Sequence, residues 1–446
     1  MIVLTKVAIL SFATCHSSKG FNPVHYNSSD RKLGNIIETC LCFFWFDIDP
    51  ILCYSVQVWF CNPETIWQNI MLLGTIMSPR ERIMNALRGK PVDRVPIVLP
   101  GLSYRSLKDV QNIADPLRKK IAERAMDRTN FELHLPSYIN RMLVTPPQRI
   151  RTEQKTSPGG NPRTYGVIDT PLGELTYITE WDSRSQTSWM IKYPVENKKD
   201  IEKIASVPWE IPLDLVPPDL NHLPDEFGGR GILITHISSP FVCVSAMMNY
   251  EMFLEYCFLD LDLLKYLTEI CRQRILDCLR TLLSKPGIDC VWIGGSEWVT
   301  PPMAPPEIYD ALVQEQERSI IGHVHENTDA VIHVHCHGRI RGALPRMIER
   351  GTDYTEPVEP PPDGDITMSE ARNISKGRIT LGGNIECRIL FNGSEDDVES
   401  AVRLAFDGGK ERFILRPTEG PSPILAEQEF RNYMRMIDVW EELSGC

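Results

Sequence analysis

After residue 230 the chain alternates between short apolar runs and longer amphipathic stretches, and this alternation restricts its possible folds more than any other feature. Residues 231–235, 290–293, 330–335, 353–359, 379–381 and 412–415 read as strands. Between and after them, residues 250–283, 306–326, 342–350, 369–376, 394–407 and 427–443 carry helical periodicity. Strands separated by helix-length crossovers pair in parallel, because a two-residue turn cannot join parallel neighbours. With residues 77–446 available, a closed eight-stranded (β/α)8 TIM barrel accounts for the pattern better than a doubly wound sheet. The glycine-rich turns that cradle nucleotide phosphates, GxGxxG and GxxxxGK[ST], do not occur in the chain.

The start of this unit is marked. Ser78-Pro79-Arg80-Glu81 places a serine N-cap, a proline at the first helical position and a glutamate at the third, which is a capping box. Ile83, Met84 and Leu87 supply an apolar stripe, and Gly89 ends the helix. Residues 94–99 then read as a short buried strand. Residues 100–230 are mixed and proline-rich, with a hairpin expected across 164–193 and its turn at 169–175.

Composition separates what comes before. Residues 1–76 hold nine charged side chains, against 97 in the remaining 370, and five of the 13 cysteines. The bulky run 40–46 is cut from the apolar run 51–61 by Asp47, Asp49 and Pro50, so neither piece reaches the roughly 20 residues of a bilayer span. Residues 1–15 lack a clean small-residue cleavage pattern. We read residues 1–76 as a disordered extension, or an over-long gene model preceding a start at Met77, and residues 77–446 as one barrel domain. The net charge of −12 offers no basic excess for phosphate neutralisation, so nucleic acid is excluded as an expected partner, as is a membrane. The remaining cysteines are scattered without CxxC spacing and read as buried thiols of a cytoplasmic protein.

Barrel active sites lie at the C-terminal ends of the strands. Those ends carry Glu297, His333, His335, His337, Glu356, Glu359, Asn384, Glu386 and Glu419. Side chains alternate along a strand, so His333, His335 and His337 share one face and Cys336 faces the helices. His335 and His337 lie about 6–7 Å apart along such a strand, within reach of one ion. Imidazole suits Zn2+, and Glu419 or Glu359 can complete the set. The alternatives are hydrogen bonding at the strand end or direct contact with substrate. Glu297 and His333 are candidate catalytic groups; Trp298, Asn384, Glu386 and Arg105 are candidate substrate contacts.

The opening 77–96 (Met-Ser-Pro-Arg-Glu-Arg-Ile-Met-Asn-Ala-Leu-Arg-Gly-Lys-Pro-Val-Asp-Arg-Val-Pro) resembles that of the uroporphyrinogen decarboxylase superfamily. So does the C-terminal order His335-Cys-His-Gly338, Glu349-Arg-Gly-Thr-Asp353 and Gly382-Gly-Asn-Ile385. The resemblance spans about residues 77–443 and implies one of two chemistries. Its porphyrin decarboxylases use an arginine-rich N-terminal signature, where this chain reads Pro96-Ile-Val-Leu-Pro-Gly-Leu-Ser-Tyr-Arg105. Its corrinoid-linked methyltransferases bind zinc through His-x-Cys-Gly and a later cysteine. Here His335 matches the family histidine, His337 stands where the first cysteine would be, and Glu419 falls near the second. The expectation is a zinc-dependent methyltransferase working with a corrinoid, or a corrinoid protein, and a small-molecule substrate. The alternatives are a uroporphyrinogen decarboxylase, that is, a carboxy-lyase, and a non-catalytic tetrapyrrole-binding barrel. The oligomeric state stays open, a homodimer included.

Overall fold

Seven parallel strands carry the fold, and they follow one another around the sheet in chain order. The computed structural model describes residues 76–182 and 187–445; the readings of residues 1–75 lie outside the described residues. The strands among them are β1 (Phe131–His134), β2 (Ile150–Thr156), β3 (Pro162–Ile168), β4 (Leu175–Asp182), β5 (Thr187–Lys192), β6 (Gly231–Ser238), β7 (Cys290–Gly294), β8 (Val331–His335), β9 (Tyr354–Glu356), β10 (Thr380–Ile385) and β11 (Phe413–Pro417). The parallel sheet has the order β1-β6-β7-β8-β9-β10-β11. From β6 onward helical crossovers join its members, as the alternation of apolar and amphipathic stretches requires, whereas the link from β1 to β6 carries β2–β5.

The fold is therefore mixed α/β with a curled parallel sheet, and the eight-stranded expectation is met in part. Residues 94–99 do not form a full strand. Ile97 makes isolated parallel bridges to Leu415 on β11 and to Thr129, two residues before β1. Val98 N donates to Leu415 O at 2.9 Å, and Leu415 N donates to Pro96 O at 3.0 Å. Pro96 and Pro100 lack the amide hydrogens that a longer ladder would use.

The helix Pro79–Leu87 closes one end of the sheet. Ser78 and Glu81 form the capping box read from the sequence. Ile83, Met84 and Leu87 pack against Val98, Ile232, Ile234, Cys290, Val331 and Ile414, the inward side chains at the N-terminal ends of the strands. Each aliphatic side chain buried this way contributes roughly 1.5–3 kcal/mol of transfer free energy. Arg80 holds the helix to the start of β7 through a bidentate pair with Asp289 at 2.8 and 2.6 Å. On the outer face, Ile275 and Leu279, Ile320 and Val324, Val398 and Val402, and Tyr433 and Trp440 form the helical layer of the main core. Trp440 also donates its indole N–H to Val95 O at 2.8 Å, tying the last helix (Glu427–Leu443) to the bridging segment.

The expected hairpin is larger than read. It is a four-stranded antiparallel sheet in the order β2-β3-β4-β5. Its central turn lies at Thr170–Gly173, where Thr170 Oγ1 donates to Gly173 O at 2.5 Å. Ile168, Leu175 and Tyr177 turn inward to the core, while β2 is exposed along nearly its whole length. Among the described residues, no helix is long and apolar enough to cross a membrane.

Candidate active site

The polar cluster begins where the apolar runs of the strands end. The register sets His236 beside Trp292, Trp292 beside His333, and His333 beside Tyr354. One step further toward the C-terminal ends, His335 pairs with Glu356. Two glycines make room for the large rings at this level. A Cβ on Gly294 would meet the Trp292 ring at 2.2 Å, and one on Gly382 would meet the Tyr354 hydroxyl at 2.2 Å.

Glu356 is the hub. It is 1% exposed, and its Oε1 receives His333 Nε2 at 2.8 Å and His335 Nδ1 at 2.8 Å. Arg416 Nε stands 3.5 Å from its Oε2. Burial pushes the Glu356 carboxyl up, but Arg416 and then the two histidines outweigh burial and hold it well below the usual range. Burial likewise pulls the Arg416 guanidinium down, and Glu356, Tyr354 and Glu132 reverse this, so the arginine stays charged. His333 is buried and depressed by that burial, with Glu356 opposing. Glu132, on β1, is pushed up by burial and brought below its ordinary value by His134 and Arg416.

A second pair sits nearer solvent. His337 Nδ1 meets Glu359 Oε1 at 3.1 Å, and Gly338 N donates to Glu359 Oε2 at 2.5 Å. Burial pulls His337 down, and Glu359, Glu356 and Glu297 together raise it above its ordinary value. The His335 and His337 rings meet edge to face with centroids 4.6 Å apart, and His335 stacks on Trp292 at 5.1 Å. Cys336 is fully buried in the helix-facing core, as strand alternation requires.

The other candidate residues divide by position. Glu297 lies in the turn Ser296–Val299 after Gly295, whose φ is +105°, and its buried Oε2 has no hydrogen-bond partner. Trp298 is partly buried, and its carbonyl accepts from the Tyr250 hydroxyl at 2.6 Å. Asn384 and Glu386 line a cleft of about 680 Å³ together with Arg388 and the helix Glu395–Ala405. Glu386 is pushed up to about 7, first by burial and further by Asp363, with Arg388 opposing. Glu419 is exposed, and its backbone N–H donates to Cys387 Sγ at 3.1 Å. Arg105 pairs with Asp109 at 3.2 Å and lines a pocket with Phe131, the first residue of β1. That pocket lies at the opposite end of the strand from the histidines.

The expected zinc donors are not all brought together. Among the described residues, no three of His, Cys, Asp and Glu form a group that could hold a metal ion. His335 and His337 fit the part of metal donors, because a carboxylate on Nδ1 fixes the ring and leaves Nε2 to coordinate. Glu359 is engaged as the support of His337, and Glu419 stands apart. Sequence reasoning missed Glu132, His134, His236 and Arg416. His134 Nδ1 and His236 Nε2 are in hydrogen-bond contact, and the His236 ring packs on Trp292 at 4.6 Å.

These features locate the chain among known proteins. A methyltransferase from Methanosarcina mazei shares the fold at a TM-score of 0.51 and 14% identity, covering 82% of this chain and 99% of that one. A B12-independent methionine synthase from Shewanella sp. W3-18-1 aligns over 48% of this chain and 62% of its own, at 11% identity and a TM-score of 0.29. No curated protein sequence matches the chain. The family model for uroporphyrinogen decarboxylase (URO-D) matches residues 182–443, more than half of the chain, and the chain belongs to that family.

Proposed function

We propose that this chain is a methyltransferase of the URO-D family, with its reaction centre at the C-terminal ends of β8 and β9. One observation carries the reading: two imidazoles, His335 and His337, each rest their Nδ1 on a glutamate from the β9 end. Glu356 and Glu359 thereby fix both ring orientations. In this reading His335 and His337 hold zinc, which when bound lowers the pKa of an acceptor group that ligates it. Glu297 offers its unpartnered Oε2 to orient a donor group of the substrate. The fold of the Methanosarcina protein is consistent with methyl transfer on this scaffold, and the expected methyl donor is a corrinoid. Arg416, the buried guanidinium of the cluster, is engaged by Glu356, which disfavours a polycarboxylated porphyrin as ligand.

The same reading takes the Ile97 bridges as the remnant of an eighth strand that closes a (β/α)8 barrel. It places the enzyme in the cytoplasm, in keeping with seven described cysteines that are free and buried.

Elemental analysis together with a methyl-transfer assay tests the proposal, using free methylcobalamin as donor and 2-mercaptoethanol as acceptor. The expected result is zinc near one per chain and turnover, with both lost in His335→Ala. Metal-free protein that transfers no methyl group, but converts uroporphyrinogen to coproporphyrinogen, would replace this reading with the carboxy-lyase.

A further inference from the structure

His236 packs on Trp292, as His335 does, and belongs to a second pair of imidazoles to which the zinc reading gives no role. His134 is the last residue of β1 and His236 the sixth of β6. Their rings lie 4.6 Å apart, with His134 Nδ1 against His236 Nε2. Two neutral imidazoles carry two ring protons on four nitrogens, and one proton must lie in that contact. Uptake of a third proton makes the pair a bridged cation. Glu132 supplies the counter-charge, its Oε2 3.7 Å from His134 Nε2. The two rings differ in access: the His134 side chain is 47% exposed, whereas His236 packs against the Trp292 ring.

We propose that the His134–His236 pair, backed by Glu132, is the proton acceptor of the site, with His134 as the group that meets the substrate. This rests on the methyltransferase reading and adds to it a class of acceptor. That acceptor carries an N–H, O–H or S–H that must be lost when the methyl group arrives. The lone pair of the acceptor forms the new bond to carbon. The bond from carbon to the donor's leaving group breaks, its electron pair staying with the leaving group, which for a methylcorrinoid is the reduced cobalt. The acceptor's proton passes to the His134 ring.

The groups facing this pair treat its two rings differently. His236 is pushed down to about 4, by burial first and then by His134 and His333, while Glu132 opposes this only in part. Other charged or titratable neighbours include His335 from β8, Cys290 from β7, whose thiol burial and then Glu132 push up, and Arg416 from β11, which acts on Glu132. His134 is the exposed ring of the pair and lies beside Glu132, so a proton arriving there meets both solvent and a counter-charge. His236 and Glu132 are positioning residues: one holds the ring by its Nδ1, the other stabilises the imidazolium.

The test measures kcat/KM for methylcobalamin and 2-mercaptoethanol across pH 5–9, in the full chain and in His134→Gln, His236→Gln and Glu132→Gln. General-base removal is expected to lower the rate in His134→Gln roughly 100-fold at neutral pH and to erase the acid limb of the profile. Glu132→Gln and His236→Gln are expected to displace that limb while keeping part of the rate. A His134→Gln enzyme with the wild-type rate and profile overturns the proposal. If the wild-type chain transfers no methyl group, the functional reading fails by itself, and the pair is then judged by 15N-histidine NMR titration. Coupled titration of the two rings, with the His236 curve altered in His134→Gln, supports the pair. An unaltered His236 curve overturns it.

Discussion

The parallel strands are built from two materials. At their N-terminal ends, Ile232, Ile234, Cys290, Val331 and Ile414 face the helix Pro79–Leu87 in an apolar plug. A few residues along the same strands, the inward positions become His236, His333, His335, Glu356 and Arg416. The first end is held by the area it removes from water, which asks for volume and little direction. The second end is held by directed pairs around Glu356, where each partner matters because the others stay buried when it is removed. The apolar end needs no directed pairs, and this leaves the other end to hold ionisable groups close together.

The largest test of this contrast is Arg416→Met, which leaves Glu356 buried without its counter-charge. Unfolding in denaturant should show a loss of roughly 3–5 kcal/mol. A loss below about 1 kcal/mol would mean that the two imidazoles neutralise Glu356 unaided. Next comes the plug: Leu87→Ala should cost roughly 2–4 kcal/mol by the same measurement and leave methyl transfer unchanged. If its turnover fell with its stability, the two ends would not be separable. Ser78→Ala removes the cap of the plug helix and should cost about 1 kcal/mol, read as a lowered Tm.

The smallest effect concerns the cleft beside the site. The Glu386 carboxyl moves from an ordinary 4.5 up to about 7 on folding, so the folded chain keeps a proton that the unfolded chain has released. Its contribution is therefore present below about 4.5 and lost as pH rises through about 7. Glu386→Gln should cancel that loss, and its stability relative to wild type should rise between these pH values. A parallel pair of stability-against-pH curves would remove Glu386 from the account.

Most of the parallel sheet was legible because its strands are short apolar runs separated by amphipathic helices. Residues 94–99 misled because their apolar character is genuine while Pro96 and Pro100 withhold the amides of a ladder. The site was legible on β8, where alternation alone brings His333, His335 and His337 to one face. It was missed elsewhere for two physical reasons. Reading β6 to Thr235 and β11 to Leu415 ended each strand with its apolar run, one residue short of His236 and Arg416. Glu132 and His134 lie two apart on a four-residue strand, too short to show periodicity inside a proline-rich region. The functional residues begin where the hydrophobic signal stops.

The bridges at Ile97 also order the assembly of the protein in time. Leu415 is made more than three hundred residues after Pro96, whose carbonyl it satisfies, and Trp440 still later than Val95. During synthesis the segment around residue 97 can bridge to Thr129 early, but its other side must wait until β11 has emerged from the ribosome. The sheet can grow strand by strand from β6 onward, but its seam is sewn last. A nascent chain stalled before residue 413 would therefore present that seam open.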